Sequence, residues 1–260
     1  MRNIFLSLCV LLLLVACGVP PAPDHHLYNA YSSPDGVWSF EVIYYDDCVI
    51  PGGENEVYEE LKLVQVSSGD ERIADEQIKT CGGLGAFGFE GLFWSPNSHY
   101  FYYTDAREGV PDGCGYWERP IIRMDVTTLN KEPIGEGPRS PDGLKVATWQ
   151  GQELVVWDVN DGEITRFPVI FPEAQIGPIT WSPDSRALVY IKVASWCPLS
   201  GKSYLAMVDL TLPEQRLLLE SEKHNFSRAT WEVAGELSLL DENGQEWRYD
   251  LVTQELVPMP

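Results

Sequence analysis

One four-residue turn recurs along the chain and restricts what it can fold into. Ser33-Pro34-Asp35-Gly36, Ser95-Pro96-Asn97-Ser98, Ser140-Pro141-Asp142-Gly143 and Ser182-Pro183-Asp184-Ser185 share it, and Glu232-Val233-Ala234-Gly235 is a degenerate fifth copy. Proline presets the first corner, and Asp, Asn or Gly accepts the conformations that follow. Trp94, Trp181 and Trp231 immediately precede three of these turns. Each turn is followed later by an apolar run, at 61–65, 121–125, 154–158, 205–209 and 246–250. These runs close on Gln65, Asp125, Asp158, Asp209 and Asp250. Between turn and run lie stretches rich in β-branched and aromatic residues, such as 38–44, 100–104 and 187–191. No long segment has a helical period. Residues 54–63 leave open a choice between one or two helical turns and an edge strand.

Two elements repeated five times in a fixed order give units of four short strands. Strand A precedes the turn, B follows it, C ends in the acid or amide, and D follows a second polar turn. One such sheet has no partner for both of its faces, so neighbouring units must bury them. The expected fold is all-β, a β-propeller of five four-stranded blades, with six still open. The Trp-Ser-Pro-Asp turn followed by a strand and a hydrophobic-Asp run resembles the TolB-like, or WD-like repeat, propeller over residues 27–258. That resemblance implies an architecture and says little about function. The chain departs from it in having five recognisable repeats where such proteins often have six or more.

At 260 residues and 44% hydrophobic, the chain has ample material for a core and is not of disordered composition. Thirty-nine acids against 18 bases give a net charge of −21, which speaks against nucleic acid as a partner. It equally speaks against attraction of the folded body to an anionic membrane surface. The N-terminus is organised differently. Met1-Arg2-Asn3 leads into an apolar run that is shorter than a spanning helix requires. The run closes on Leu14-Val15-Ala16-Cys17, which resembles the bacterial lipoprotein box. By that resemblance 1–16 is a signal peptide, Cys17 carries lipid, and 17–26 is a proline-stiffened tether. Residues 27–260 are the propeller. The implied location is the bacterial cell envelope, lipid-anchored and extracytoplasmic.

The turn-to-acid distances are 32, 30, 18, 27 and 18 residues. Eighteen is a bare B–C hairpin, so blades 1, 2 and 4 hold B–C insertions of 14, 12 and 9 residues. Cys48, Cys114 and Cys197 fall one in each insertion, and Cys81 falls just past strand D of blade 1. In an exported protein, four such cysteines suggest two disulfides. Cys48–Cys81, within one blade, is favoured, leaving Cys114–Cys197; the rival pairs Cys81 with Cys114 and Cys48 with Cys197. Because strands alternate in direction, A–B and C–D turns share one rim, and the insertions share the other. That second rim offers Asp46, Asp47, Asp105, Glu108, Tyr116, Trp117 and Trp196 as candidate binding residues.

Catalytic motifs are scarce. The glycine-rich run 82–91 lacks the lysine of a phosphate loop, and no Gly-x-Ser-x-Gly elbow occurs. Neither zinc spacing nor a cofactor motif is present, so no metal or cofactor is expected. Asp158, Asn160, Asp161 and Glu163 crowd one turn, where backbone capping is favoured over calcium. The C-strand aspartates read as turn caps rather than acid–base groups. Two functions remain. The favoured one is a membrane-tethered, non-enzymatic binding module for a protein, peptide or glycan. The alternative is a glycoside hydrolase with channel carboxylates about 5–10 Å apart. The lipoprotein box generates a direct prediction. Wild-type protein should partition into detergent, whereas Cys17→Ser should stay unprocessed or appear in the aqueous phase. Wild type found wholly in the aqueous phase would refute the anchor.

Overall fold

Four of the five turns close in the same way in the computed structural model, which describes residues 25–45, 56–80, 88–105, 119–168, 170–212, 214–233 and 235–260. The serine hydroxyl donates to the side-chain oxygen two residues on: Ser33 to Asp35 (2.6 Å), Ser95 to Asn97 (2.7 Å), Ser140 to Asp142 (2.5 Å) and Ser182 to Asp184 (2.7 Å). The same hydroxyl accepts the amide five residues on, from Trp38, Tyr100, Lys145 or Ala187. All four serines are buried. A buried hydroxyl left without these bonds would cost about 1–3 kcal/mol, which explains why the residue pair recurs as a unit.

Each turn but the one at Ser140, which leads into a strand from isolated bridges, joins two strands of an antiparallel sheet. Blade 1 is β1 (His25–Ser32), β2 (Trp38–Tyr45), β3 (Glu56–Gln65) and β4 (Glu71–Thr80). Blade 2 is β5 (Glu90–Trp94), β6 (Tyr100–Thr104), β7 (Ile121–Asp125) and β8 (Lys131–Gly135). Blade 3 has β9 (Lys145–Gln150), β10 (Glu153–Asp158) and β11 (Gly162–Phe167). Blade 4 is β12 (Gln175–Trp181), β13 (Ala187–Trp196), β14 (Leu199–Asp209) and β15 (Glu214–Ser221). Blade 5 is β16 (Phe226–Val233), β17 (Glu236–Asp241), β18 (Glu246–Asp250) and β19 (Leu256–Pro258). No helix occurs among the described residues. This is the expected five-bladed propeller.

Three details differ from the sequence reading. β1 begins at His25, inside the segment read as tether, while residues 56–63 take the strand alternative as part of β3. Blade 4's B–C insertion lengthens both strands of a hairpin, down to the pair Trp196–Leu199, and is not a free loop. Blade 3 lacks a continuous inner strand. There, Glu136 and Arg139 make isolated bridges to Trp149 and Val146. Pro138 has no N–H to give, and Gly137 takes φ +155°, where a Cβ would meet the Ala147 carbonyl oxygen at 2.1 Å.

In blades 2 to 5 the second turn is held by the acid that ends strand C. Asp125 accepts the amides of Thr127 and Thr128, Asp158 those of Asn160 and Asp161, and Asp250 those of Val252 and Thr253. Asp209 accepts the Thr211 amide. The residue after each acid, or after Gln65, then bonds back to the first turn, as in Val126 N–H to His99 O (3.0 Å) and Leu210 N–H to Arg186 O (2.9 Å). Both turns of a blade therefore lie on one rim.

Sheets bury their faces against the next sheet in sequence. Phe40, Leu61 and Leu63 of blade 1 pack on Trp94, Phe101 and Met124 of blade 2. Similar clusters join blades 2 and 3, 3 and 4, and 4 and 5. A staple recurs at these seams. The tryptophan before a turn donates its indole N–H to the previous blade, two residues before that blade's own turn: Trp94 to Tyr31 O (2.9 Å), Trp181 to Pro138 O (3.0 Å) and Trp231 to Thr180 O (3.3 Å). Arg139 takes this position in blade 3 and lies 4.1 Å from the Phe93 ring centroid. A second tie links the turns themselves: Ser98 Oγ accepts the Asp35 amide, and Ser185 Oγ accepts the Asp142 amide. Both serines hold φ 59°, a left-handed conformation that glycine occupies in the turns of blades 1 and 3.

Among the described residues, no core cluster, hydrogen bond, ion pair or ring contact joins blade 5 to blade 1. The staple position of blade 1 is Ser32, which is too short to bridge. The outward face of blade 5 places Arg228, Thr230, Ser238 and Arg248 on neighbouring strands, where inner seams carry apolar residues. Glu41, Glu60 and Lys62 share the corresponding face of blade 1.

Two predictions follow from the seam and the turns. Trp181→Phe removes an almost buried indole donor and should cost about 1–3 kcal/mol by denaturant titration; an unchanged midpoint would dismiss the staple. The hydroxyl of Ser33 holds the Asp35 carboxyl below its ordinary value, as Ser182 does for Asp184 and Thr211 for Asp209. Amides of Thr253 and Val252 do the same for Asp250. A lowered carboxyl stabilises the fold above its unfolded value and loses that contribution as pH falls through the folded one. Acid unfolding should thus set in below about pH 4. Asp184→Asn, an exchange the chain itself makes at Asn97, should reduce the slope of stability against pH there.

Candidate functional site

The inner strand of blade 1 carries a bulge that redirects one side chain. Leu27 pairs with Ile43 and Asn29 with Val42, so Tyr28 is the extra residue. Its ring is 66% exposed and stands edge-on to Tyr44, with centroids 5.1 Å apart. Tyr44 lies near the end of β2. Burial, then the Glu59 carboxylate to which its hydroxyl bonds, pushes its ionisation above the ordinary tyrosine range. Glu59 is fully buried and accepts bonds from Gln77 Nε2 (2.5 Å) and the Phe89 amide (3.0 Å), fixing where the chain enters blade 2.

Gly91 makes the close approach of the two inner strands possible. A Cβ there would stand 2.6 Å from the Tyr31 ring and 2.7 Å from Phe101. Asn29 donates to the Tyr31 hydroxyl at 2.9 Å, and Glu90 pairs with Arg119 at 3.2 Å. Together these groups line a cleft of about 490 Å³ between blades 1 and 2. It combines aromatic faces with a neutral amide and a charged pair, a lining suited to a ligand having both flat and hydrogen-bonding parts.

Other buried acids near this end hold structure. Asp75 accepts the Tyr103 hydroxyl (2.6 Å) and the Lys131 ammonium (2.9 Å). Glu60 accepts the Tyr45 hydroxyl (2.8 Å) beside Lys62 (3.4 Å). Glu59, Glu60 and Asp75 all lie on β3 and β4, the outer strands of blade 1, and not on an inner strand. In the crowded turn, Asp158 caps amides while Glu163 binds Arg166 at 2.9 Å. Among the described residues, no group of three His, Cys, Asp or Glu side chains has a metal-binding arrangement.

Of the rim residues singled out from sequence, Asp46, Asp47, Glu108, Tyr116 and Trp117 lie outside the described residues, as do Cys17, Cys48, Cys81 and Cys114. Asp105 follows β6 and is partly buried. Trp196 is also partly buried: its indole N–H reaches the Ile176 carbonyl at 2.8 Å and its ring packs on the blade 4–5 core. Cys197, at the tip of the long hairpin, is disulfide-bonded, and its partner falls outside the described residues. Sequence reasoning passed over Tyr28, Asn29, Tyr31, Tyr44, Glu90 and Arg119. The available signal was Gly91 in the inner strand of blade 2 together with Tyr28 and Tyr31 in the inner strand of blade 1.

No family model and no curated protein matches the chain. Among solved structures, it is similar to dipeptidyl peptidase 4 of Porphyromonas gingivalis, at 13% identity and a TM-score of 0.48, over 88% of this chain and 39% of that one. It is also similar to TolB from Acinetobacter baumannii, at 15% identity and a TM-score of 0.32, over 90% of this chain and 54% of that one. The chain thus spans well under two thirds of the length of either structure.

Proposed function

We propose that this protein is an extracytoplasmic binding module, held to a bacterial envelope membrane by lipid on Cys17, that receives a protein, peptide or glycan ligand at the loop-bearing rim. The observation that carries this reading is the cleft between blades 1 and 2, where exposed Tyr28 stands beside Tyr31, Tyr44 and the Glu90–Arg119 pair. Rigid aromatic rings beside a few fixed polar groups give contact area at little ordering cost. The disulfide at Cys197 fits an oxidising compartment. Binding is favoured over glycoside hydrolysis because Glu59 and Asp75, the deeply buried acids nearest the cleft, are engaged by amide, hydroxyl and ammonium donors. A hydrolase needs one carboxyl free to protonate a leaving oxygen and a second free to attack or to activate water.

The test is a screen of glycan and peptide arrays with the Cys17→Ser protein, repeated with Tyr28→Ala added. Because Tyr28 is exposed, its removal should leave stability within about 0.5 kcal/mol. Affinity for any true cleft ligand should fall by about ten-fold or more. Hits that bind both proteins equally would refute the cleft as the site. Release of reducing ends from an arrayed glycan would favour the hydrolase.

A further inference from the structure

The four seams are filled unequally on the turn rim. At the first residue of strand B, blades 1 to 4 carry Trp38, Tyr100, Lys145 and Ala187, in register with Gln65, Asp125, Asp158 and Asp209. Each faces the next blade. In the first seam the Trp38 ring packs on the core, and the Arg72 guanidinium lies 5.4 Å from its centroid while donating to the Val126 and Thr127 carbonyls. In the second, Arg123 lies 3.6 Å from the Tyr100 centroid. In the third, Lys145 turns to Asp142 at 3.4 Å.

The fourth seam has only a methyl group at this place, and a pocket of about 410 Å³ opens there. Ala187, Met207, Trp231 and Leu251 form its apolar wall, and Arg186 and Asp209 stand at its mouth. The cation that covers Trp38 has a counterpart. Arg216 pairs with Met207 as Arg72 pairs with Leu63, so the two arginines hold the same register. Arg216 is exposed and meets the Met207 sulfur at 3.6 Å. The opposite side is also open. Leu129 packs on the Trp38 cluster from four residues past Asp125; four residues past Asp250 stands exposed Gln254, with the same φ of 59°.

We infer that this pocket, between blades 4 and 5 on the rim opposite the cleft, receives an aromatic side chain from a partner polypeptide. That ring would take the place Trp38 holds in the first seam, with Arg216 over its face. The electrostatics favour a ring over an aliphatic group, because a guanidinium is attracted to the negative face of a π-system and an alkyl chain presents none.

The experiment uses the folded protein with N-acetyl-tryptophanamide, N-acetyl-leucinamide, and a tryptophan-centred hexapeptide beside its alanine version. Binding is followed by the NMR shift of the Trp231 indole N–H. The tryptophan amide and peptide should bind, with the leucine amide and alanine peptide markedly weaker. Ala187→Trp should fill the pocket from within, abolish the shift and raise the melting temperature. Arg216→Gln changes an exposed side chain and keeps an amide donor near Met207. It should weaken the tryptophan ligands by about three-fold and leave the leucine amide unchanged. Equal binding of leucine and tryptophan amides, or a shift that survives both Ala187→Trp and Arg216→Gln, would overturn the proposal. Binding of the amide without the peptide would overturn the polypeptide as occupant.

Discussion

A sheet of four short strands has two faces and needs a neighbour for the apolar one; the indole staple decides how that neighbour is set. Trp94, Trp181 and Trp231 each place a large ring in a seam and its N–H on a carbonyl of the preceding blade. The ring contributes burial, which is non-directional, and the N–H contributes register, which burial cannot. The serine–aspartate turn beside it keeps the tryptophan at the end of its strand. Ser98 and Ser185 tie that turn to the one before. Blade orientation follows from a few polar contacts inside an otherwise apolar seam.

Both candidate binding regions arise where the repeat departs from its own rule. In the cleft, a bulge turns Tyr28 out of the pleat, and Gly91 removes the side chain that would have separated two inner strands. In the blade 4–5 pocket, an alanine replaces an aromatic ring. Elsewhere the repeat absorbs its polar groups: the C-strand aspartates cap turns, Glu59 fixes a connection, and buried Lys192 donates to Gln152 and to the carbonyls of Ile170 and Phe171. Acidic as the chain is, much of that acidity is structural.

The sequence disclosed what is periodic. Turns, strand order, the lack of helix and the capping role of Asp125, Asp158, Asp209 and Asp250 all depend on short-range hydrogen bonds and recur at fixed spacing. What depends on a single position was hidden. Nothing in the spelling of β1 marks Tyr28 as a bulge, since an inserted residue is visible only against the partner strand. The extra residues of blade 4 looked like a loop because length alone does not separate a loop from two lengthened strands. Gly137 and Pro138 mark the broken inner strand of blade 3 in the sequence, although the repeat pattern by itself does not. Loop membership points to rim residues such as Asp46 and Trp117, whereas the cleft draws mainly on strand residues and on Arg119 just before β7.

Among the described residues the row of seams runs from blade 1 to blade 5 without a return, and such a row distributes stability unevenly. Among the described residues, blades 2, 3 and 4 each share a seam on two sides, whereas blades 1 and 5 each share one; the outer face of blade 5 exposes Arg228, Thr230 and Arg248, and that of blade 1 buries Ile43 and Glu60. Such a molecule behaves as a short linear array, in which opening begins at the ends and the middle follows. Amide protons of β1 and β19 would then exchange through local fraying, while those of β9 and β13 wait for global unfolding. The cleft lies beside one fraying end, so whatever occupies it also clamps blade 1 to blade 2. Occupancy would register as slowed exchange across a whole blade, well away from the groups it touches.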